Sequence, residues 1–193
     1  MKGTFRLAVL PTIAPYLLPR FFQQLSEKHT DLDIRMLEMK TAPTMAALQN
    51  GEIDAAIIAN QPTESYLQGD ILYYEQFFGY VAHNESIFKK DLIRTADIND
   101  ERLWLLDEGH CFRDQLMRFC QMEKVKVRQA AYRLGSLETF MRMVESGNGI
   151  TFIPELATLQ LSKEQKDWYV RSPFPSRHGR SSLSPVKILS GIP

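Results

Sequence analysis

Two residues in this chain combine nucleophilic and redox capacity: Cys111 and Cys120, its only cysteines, nine positions apart in LLDEGHCFRDQLMRFC. That gap is too wide for a CxxC redox pair or for the close ligand pair of a zinc site. The thiolate is the nucleophile, and a helix N-terminus or a neighbouring cation draws a cysteine pKa down from about 8.5. Cys111 has His110 before it and Arg113 two residues after it, while Asp107, Glu108 and Asp114 act in the opposite sense. If residues 111–120 form one helix, the cysteines are separated by a rise of about 13.5 Å. A disulfide needs Cα atoms within about 7 Å. Either the segment is not a straight helix, or closing the bond dismantles it. The second case is a switch, in which oxidation makes a sulfenic acid at Cys111, Cys120 attacks it, and the segment refolds. The competing reading makes both thiols small buried hydrophobes, with Cys120 beside Phe119 and near Met117. Spacing alone leaves both readings open. A zinc site is short of ligands, since His110 is the one histidine nearby in sequence, and no metal or cofactor is expected.

The elements that must hold these residues read as two similar α/β units. Residues 5–10 (FRLAVL) form a short buried strand that Pro11-Thr12 ends. Helical spacing follows over 15–28, then strand alternation over 32–37. Thr41 is positioned to cap a helix over 42–49, with Pro43 in its first turn and Asn50-Gly51 at its end. Residues 53–59 (IDAAIIA) are another buried strand. After a polar connector over 61–69, the aromatic run 70–82 crosses into the second unit. There the order is strand 103–106, helix about 111–123, strand 127–134, helix 137–145 capped by Ser136, and strand 150–153. This β-α-β order favours parallel sheets with right-handed crossovers. Ligands of such sheets lie beyond the carboxyl ends of the strands. Thr12, Thr41, Gly109 with His110 and Cys111, and Ser136 are therefore the candidate ligand-facing positions.

Bulk properties narrow the function classes. The 193 residues are 44% apolar, with 23 basic against 23 acidic side chains and a formal net charge of zero. A chain that binds DNA by itself usually carries a basic excess. No apolar run reaches about eighteen residues, so no membrane span is expected. The opening MKGTFRLAVLP enters a strand directly, which reads as no signal peptide and a reducing cytoplasmic setting, where a disulfide is transient chemistry.

DEGHCFRDQLMRFC, with its Gly-His-Cys-x-Arg-Asp-Gln run and its second cysteine, resembles the redox segment of peroxide-sensing LysR-type transcriptional regulators. LPTIAPYLLP (10–19), EMKTAPTMAALQNGEIDAAI (38–57) and SLETFMRMVESGNGITFIPELA (136–157) resemble the effector domains of that family, in one register to about Arg171. The resemblance implies an α/β fold of two Rossmann-like lobes joined by crossing strands, akin to periplasmic solute-binding proteins. It implies lobe I over 1–73 with any ordered part of 166–193, and lobe II over 74–165. It also implies that hydrogen peroxide oxidises Cys111, that Cys120 resolves the product into a disulfide, and that Thr12 and Thr41 hold peroxide while His110 and Arg113 flank the thiol. Homodimers through this domain and homotetramers of the whole regulator are implied. Promoter DNA is then bound through an N-terminal helix-turn-helix not found in this chain, and glutaredoxin with glutathione, or thioredoxin, resets the thiols.

The tail departs from the family pattern. Residues 172–193, from SPFPSRHG on, are rich in Ser, Pro and Arg, and neither the returning strand nor the C-terminal helix of the family is legible there. The tail is expected to be unstructured or foreign to the family. Two other functions compete: a small-molecule effector domain with inert cysteines, contacting its ligand through Ser136 and Thr12, and a thiol peroxidase with multiple turnover.

Overall fold

The computed structural model describes residues 3–59, 67–107, 109–119, 136–147, 149–170 and 184–191, so Cys120 and the strand expected over 127–134 lie outside the described residues. In chain order the elements are β1 (Gly3–Val9), α1 (Ala14–Lys28), β2 (Leu32–Glu38), α2 (Thr41–Gln49), β3 (Ala55–Ile58), β4 (Leu67–Glu75) and β5 (Phe77–Val81). They continue with α3 (Cys111–Phe119), α4 (Leu137–Glu145), β6 (Ile150–Pro154), α5 (Glu155–Thr158), β7 (Tyr169–Val170) and β8 (Ser184–Gly191). Two units result: Met1–Tyr74 with Ser184–Pro193, and Glu75–Leu183. No helix among the described residues is long and apolar enough to cross a membrane.

The first unit is built on a five-stranded sheet in the order β2-β1-β3-β8-β4. β1 pairs in parallel with β2 and β3, so Val9 lies level with Glu38 on one side and Ile57 on the other. This follows from the sequence. The unbroken apolar runs at the end of β1 and through β3 suit strands covered on both faces, and every residue of β3 is buried. Pro11 lacks the N–H needed to extend the ladder, so the chain leaves β1 there.

Thr41 is not the cap that its type suggests. Lys40 holds the extended N-cap position with no side-chain bond, and Thr41 is the first helical residue. The reason is local. Pro43 has no N–H to offer a Thr41 hydroxyl, and the Thr44 N–H is already given to the Lys40 carbonyl at 3.0 Å.

Within the atypical tail, Ser184–Gly191 is ordered as β8. This strand runs antiparallel to β3, pairing Ala56 with Leu189 and Ile58 with Lys187. It buries Val186 and Leu189 completely. The open side of the apolar strand β3 needs a neighbour, and this segment supplies it.

In the second unit the sheet β6-β5-β7 is antiparallel. Of the strands expected there, 103–106 and 150–153 meet in parallel at the isolated bridge between Leu103 and Ile150, and 127–134 lies outside the described residues. Beyond that bridge residues 104–106 are not strand, and the Trp104 carbonyl accepts the Thr151 hydroxyl at 3.0 Å. Gly149 makes this approach possible: its φ is +81°, and a Cβ there would run into the Arg102 carbonyl. α4 spans the predicted residues and packs on β5 and β6. Glu145 at its end accepts from Tyr80 (2.7 Å), Gln165 (3.0 Å) and Arg142 (2.6 Å), which ties the helix to β5 and to the turn before β7.

Glu75, the last residue of β4, is 3% exposed. Burial pushes its carboxyl from 4.5 up to about 8, against a lowering hydrogen bond from the Leu156 backbone and with a further raising push from Glu155. The folded value exceeds the unfolded one, so the stability carried by the protonated acid is complete below about pH 4.5 and is lost as pH rises towards 8. Glu75→Gln should match the parent in urea midpoint at acid pH and unfold later than the parent above pH 8, by up to about 4 kcal/mol. A variant that is weaker at alkaline pH contradicts this. Leu189→Ala should cost about 2–4 kcal/mol in urea unfolding, because it opens a cavity between β8 and the first unit's core; a change near zero contradicts the pairing of β8 with β3.

Candidate functional site

The approach to Cys111 is anchored before the helix begins. Residues 103–106 are buried, and the Trp104 N–H donates to the Ile150 carbonyl at 2.8 Å. Gly109 then takes φ +89°, in the left-handed region that favours glycine. The chain reverses so that His110 faces back towards Asp107, with 3.3 Å between His110 Nε2 and Asp107 Oδ1. The His110 carbonyl accepts the Arg113 N–H at 3.0 Å and the Asp114 N–H at 3.4 Å, which starts α3 with Cys111 as its first residue.

α3 is amphipathic. Cys111, Phe112, Gln115 and Leu116 are buried, while Asp114 and Arg118 face solvent. The Phe112 ring meets Phe77 of β5 edge-on, with centroids 4.9 Å apart, and this fixes the helix against the second unit's sheet. The Arg113 guanidinium donates to the Leu106 carbonyl at 3.3 Å.

Opposing effects meet at the sulfur. The helix start favours a thiolate, whereas a residue only 3% exposed is shielded from water, which favours the thiol. Asp107, which by sequence stands against the thiolate, is itself occupied with His110. What the helix forbids is clearer. Eight residue steps from Cys111 to Phe119 rise about 12 Å. Residue 120 is tethered to Phe119 by a Cα–Cα step of about 3.8 Å. Its Cα therefore stays at least about 8 Å from that of Cys111, beyond disulfide reach, wherever it lies.

The remaining predicted residues are not all gathered here. Gly109, His110, Cys111 and Arg113 form one turn of the second unit. Ser136 heads α4 of the same unit and is the cap that the sequence suggested, its Oγ accepting the Thr139 N–H at 3.2 Å. Thr12 and Thr41 belong to the first unit, where they follow the carboxyl ends of the adjacent parallel strands β1 and β2. Thr12 is buried, and the Thr41 hydroxyl oxygen is buried with no hydrogen-bond partner among the described residues. No cluster of three or more His, Cys, Asp or Glu able to hold a metal occurs among the described residues. The reading from sequence missed the Asp107–His110 pair and the use of the Leu106 carbonyl. A carboxylate three residues before a histidine, with a glycine between them, was the available signal for the first; a backbone acceptor leaves no trace in residue types.

The model of the family described as LysR substrate binding domain matches residues 1–175. The "Hydrogen peroxide-inducible genes activator" of Haemophilus influenzae is 32% identical over 180 residues, covering 92% of this chain and 59% of that protein. The "DNA-binding transcriptional dual regulator OxyR" of Escherichia coli is 32% identical over 158 residues, 81% of this chain and 51% of that protein. The chain thus spans a little over half the length of these curated relatives. The crystal structure of reduced OxyR from Porphyromonas gingivalis superposes with a TM-score of 0.85 at 48% identity, covering 98% of this chain and 84% of that one. With the family model spanning residues 1–175, this chain belongs to the LysR substrate binding domain family and has its mixed α/β, periplasmic-binding-protein-like fold.

Proposed function

We propose that this chain is the peroxide-sensing regulatory domain of a LysR-type transcription factor. The observation that carries the proposal is Cys111 as the first residue of α3, directly after the Asp107-paired His110, in a chain whose relatives include peroxide-inducible gene activators. The Cys111 thiolate attacks one oxygen of hydrogen peroxide, the O–O bond breaks, and the departing hydroxide takes a proton to leave as water. The sulfenic acid at Cys111 is then attacked by the Cys120 thiolate. The S–S bond forms, the S–O bond breaks, and a second water leaves. In all, two thiols are oxidised by two electrons and one peroxide is reduced to two waters.

The output is conformational and stoichiometric, not catalytic turnover. α3 cannot persist with that bond closed, and its loss changes how two copies of the domain pair. In this reading the regulator acts as a homotetramer on promoter DNA through a helix-turn-helix outside this chain, in the cytoplasm. Glutaredoxin with glutathione, or thioredoxin, returns the disulfide to thiols. Thr12 and Thr41 enter as peroxide-facing hydroxyls, Gly109 as the turn that frames the thiol, His110 and Arg113 as its electrostatic neighbours, and Ser136 as a further ligand contact. The near-complete burial of Cys111 supports a second reading, in which the cysteines only pack and the domain binds a small organic effector.

Intact and peptide mass spectrometry after near-stoichiometric peroxide and denaturing alkylation separates the two. The redox reading predicts that both alkylation sites vanish together, that a Cys111–Cys120 linked peptide forms, and that Cys120→Ser accumulates a sulfenic acid at Cys111. Two thiols that remain alkylatable sink it and favour the effector reading. Thr41→Val should slow the loss of thiol by about tenfold if its hydroxyl assists the reaction, and leave the rate unaltered if it does not.

A further inference from the structure

Two side-chain bonds cross the turn that leads into α3. One joins Asp107 to His110 and the other joins the Leu106 carbonyl to Arg113, each at 3.3 Å. Both begin on the segment that is tied to β6 through Leu103 and Trp104. Both end on residues that straddle Cys111, one position before it and two after. The base of this arrangement is fixed in the core, since Leu106 is 1% exposed. The His110 ring is almost fully enclosed, whereas Asp107 keeps about a quarter of its side chain in solvent (28%). Gly109, at φ +89°, supplies the reversal that lets the two bonds close over so short a span.

We propose that Asp107 is a positioning residue: together with the Arg113–Leu106 bond it clamps the reduced turn around Cys111, and so sets how readily the Cys111–Cys120 disulfide forms. The inference rests on the disulfide reading above. The clamp requires residues 110–113 in their present helical turn. Disulfide closure requires α3 to unwind, because the intact helix holds residue 120 out of reach, and in this reading the unwinding lies at the first turn. Interactions made only in the reduced fold favour that fold, so removing one moves the equilibrium towards the disulfide. The same balance fixes the electrochemistry, since closure and reopening exchange two electrons with a dithiol or disulfide buffer.

The experiment equilibrates the 193-residue chain, Asp107→Ala and Asp107→Asn in dithiothreitol buffers of defined oxidised-to-reduced ratio. The Cys111–Cys120 peptide is counted after alkylation, and the Tm of each redox form is measured. Asp107→Ala should raise the equilibrium constant for the disulfide about tenfold, which makes the potential about 30 mV more negative. Its reduced form should melt earlier and its oxidised form as in the parent, with Asp107→Asn intermediate because it keeps an acceptor for His110. An equilibrium constant within about twofold of the parent overturns the inference, and equal losses of Tm in both forms then show that Asp107 only supports the fold. If the parent chain itself never yields the linked peptide, the functional reading fails and this inference falls with it; that result is visible before any variant is compared.

Discussion

An α-helix that begins at Cys111 and a disulfide from Cys111 to residue 120 exclude each other. The rise of the helix holds their Cα atoms about 8 Å apart or more, and the bond tolerates about 7 Å. All else in the second unit can be ordered by its relation to that helix. The bridge from Leu103 to Ile150 and the Trp104 backbone bond fix the approach. The left-handed turn at Gly109 aims the helix, and the edge-on contact of Phe112 with Phe77 presses it on β5. An aromatic pair of that geometry contributes about 0.5–1.5 kcal/mol beyond its buried area. The helix is nine residues long, short enough that such tertiary contacts and not intrinsic propensity hold it. A segment of this kind opens at modest cost, as the proposed switch requires.

The thiol is placed by competing demands. Its burial protects it from indiscriminate reaction and opposes ionisation. Its position at a helix start, beside an imidazole paired with a carboxylate, works the other way. The structure satisfies both by keeping the polar groups of the turn occupied with one another. His110 is matched to Asp107, Arg113 to a backbone carbonyl, and the His110 carbonyl to the first helical N–H groups. The charges that would disturb a buried sulfur are thereby held in fixed places.

Much of this was legible in residue types. Ser136 followed by Leu137, Phe140, Met141 and Val144 specifies a capped, one-sided helix, and α4 occupies the residues so read. The order of elements in the first unit follows from apolar runs and from Pro11, Asn50 and Gly51. What escaped was decided by partners distant in sequence. The segment over 103–106 keeps a single bridge, to Ile150, and its Trp104 carbonyl meets the Thr151 hydroxyl, 47 residues away. β8 is unremarkable by composition and forms because β3 has an apolar side to cover. Thr41 loses its role as a cap to a proline two positions on, a local cause that residue preference alone overlooks. Glu75 is buried beside Glu155 and the Leu156 backbone of α5, partners about 80 residues away that the residue types around it do not announce.

The claim at the centre of this account is that oxidation trades α3 for a disulfide. Hydrogen exchange of the α3 amides, followed by mass spectrometry on the reduced chain and on the chain carrying the Cys111–Cys120 bond, tests it most directly. The account predicts protected amides across Cys111–Phe119 in the reduced form and loss of that protection once the bond is closed, with α4 and β6 unchanged. A linked peptide whose α3 amides keep their protection would contradict it.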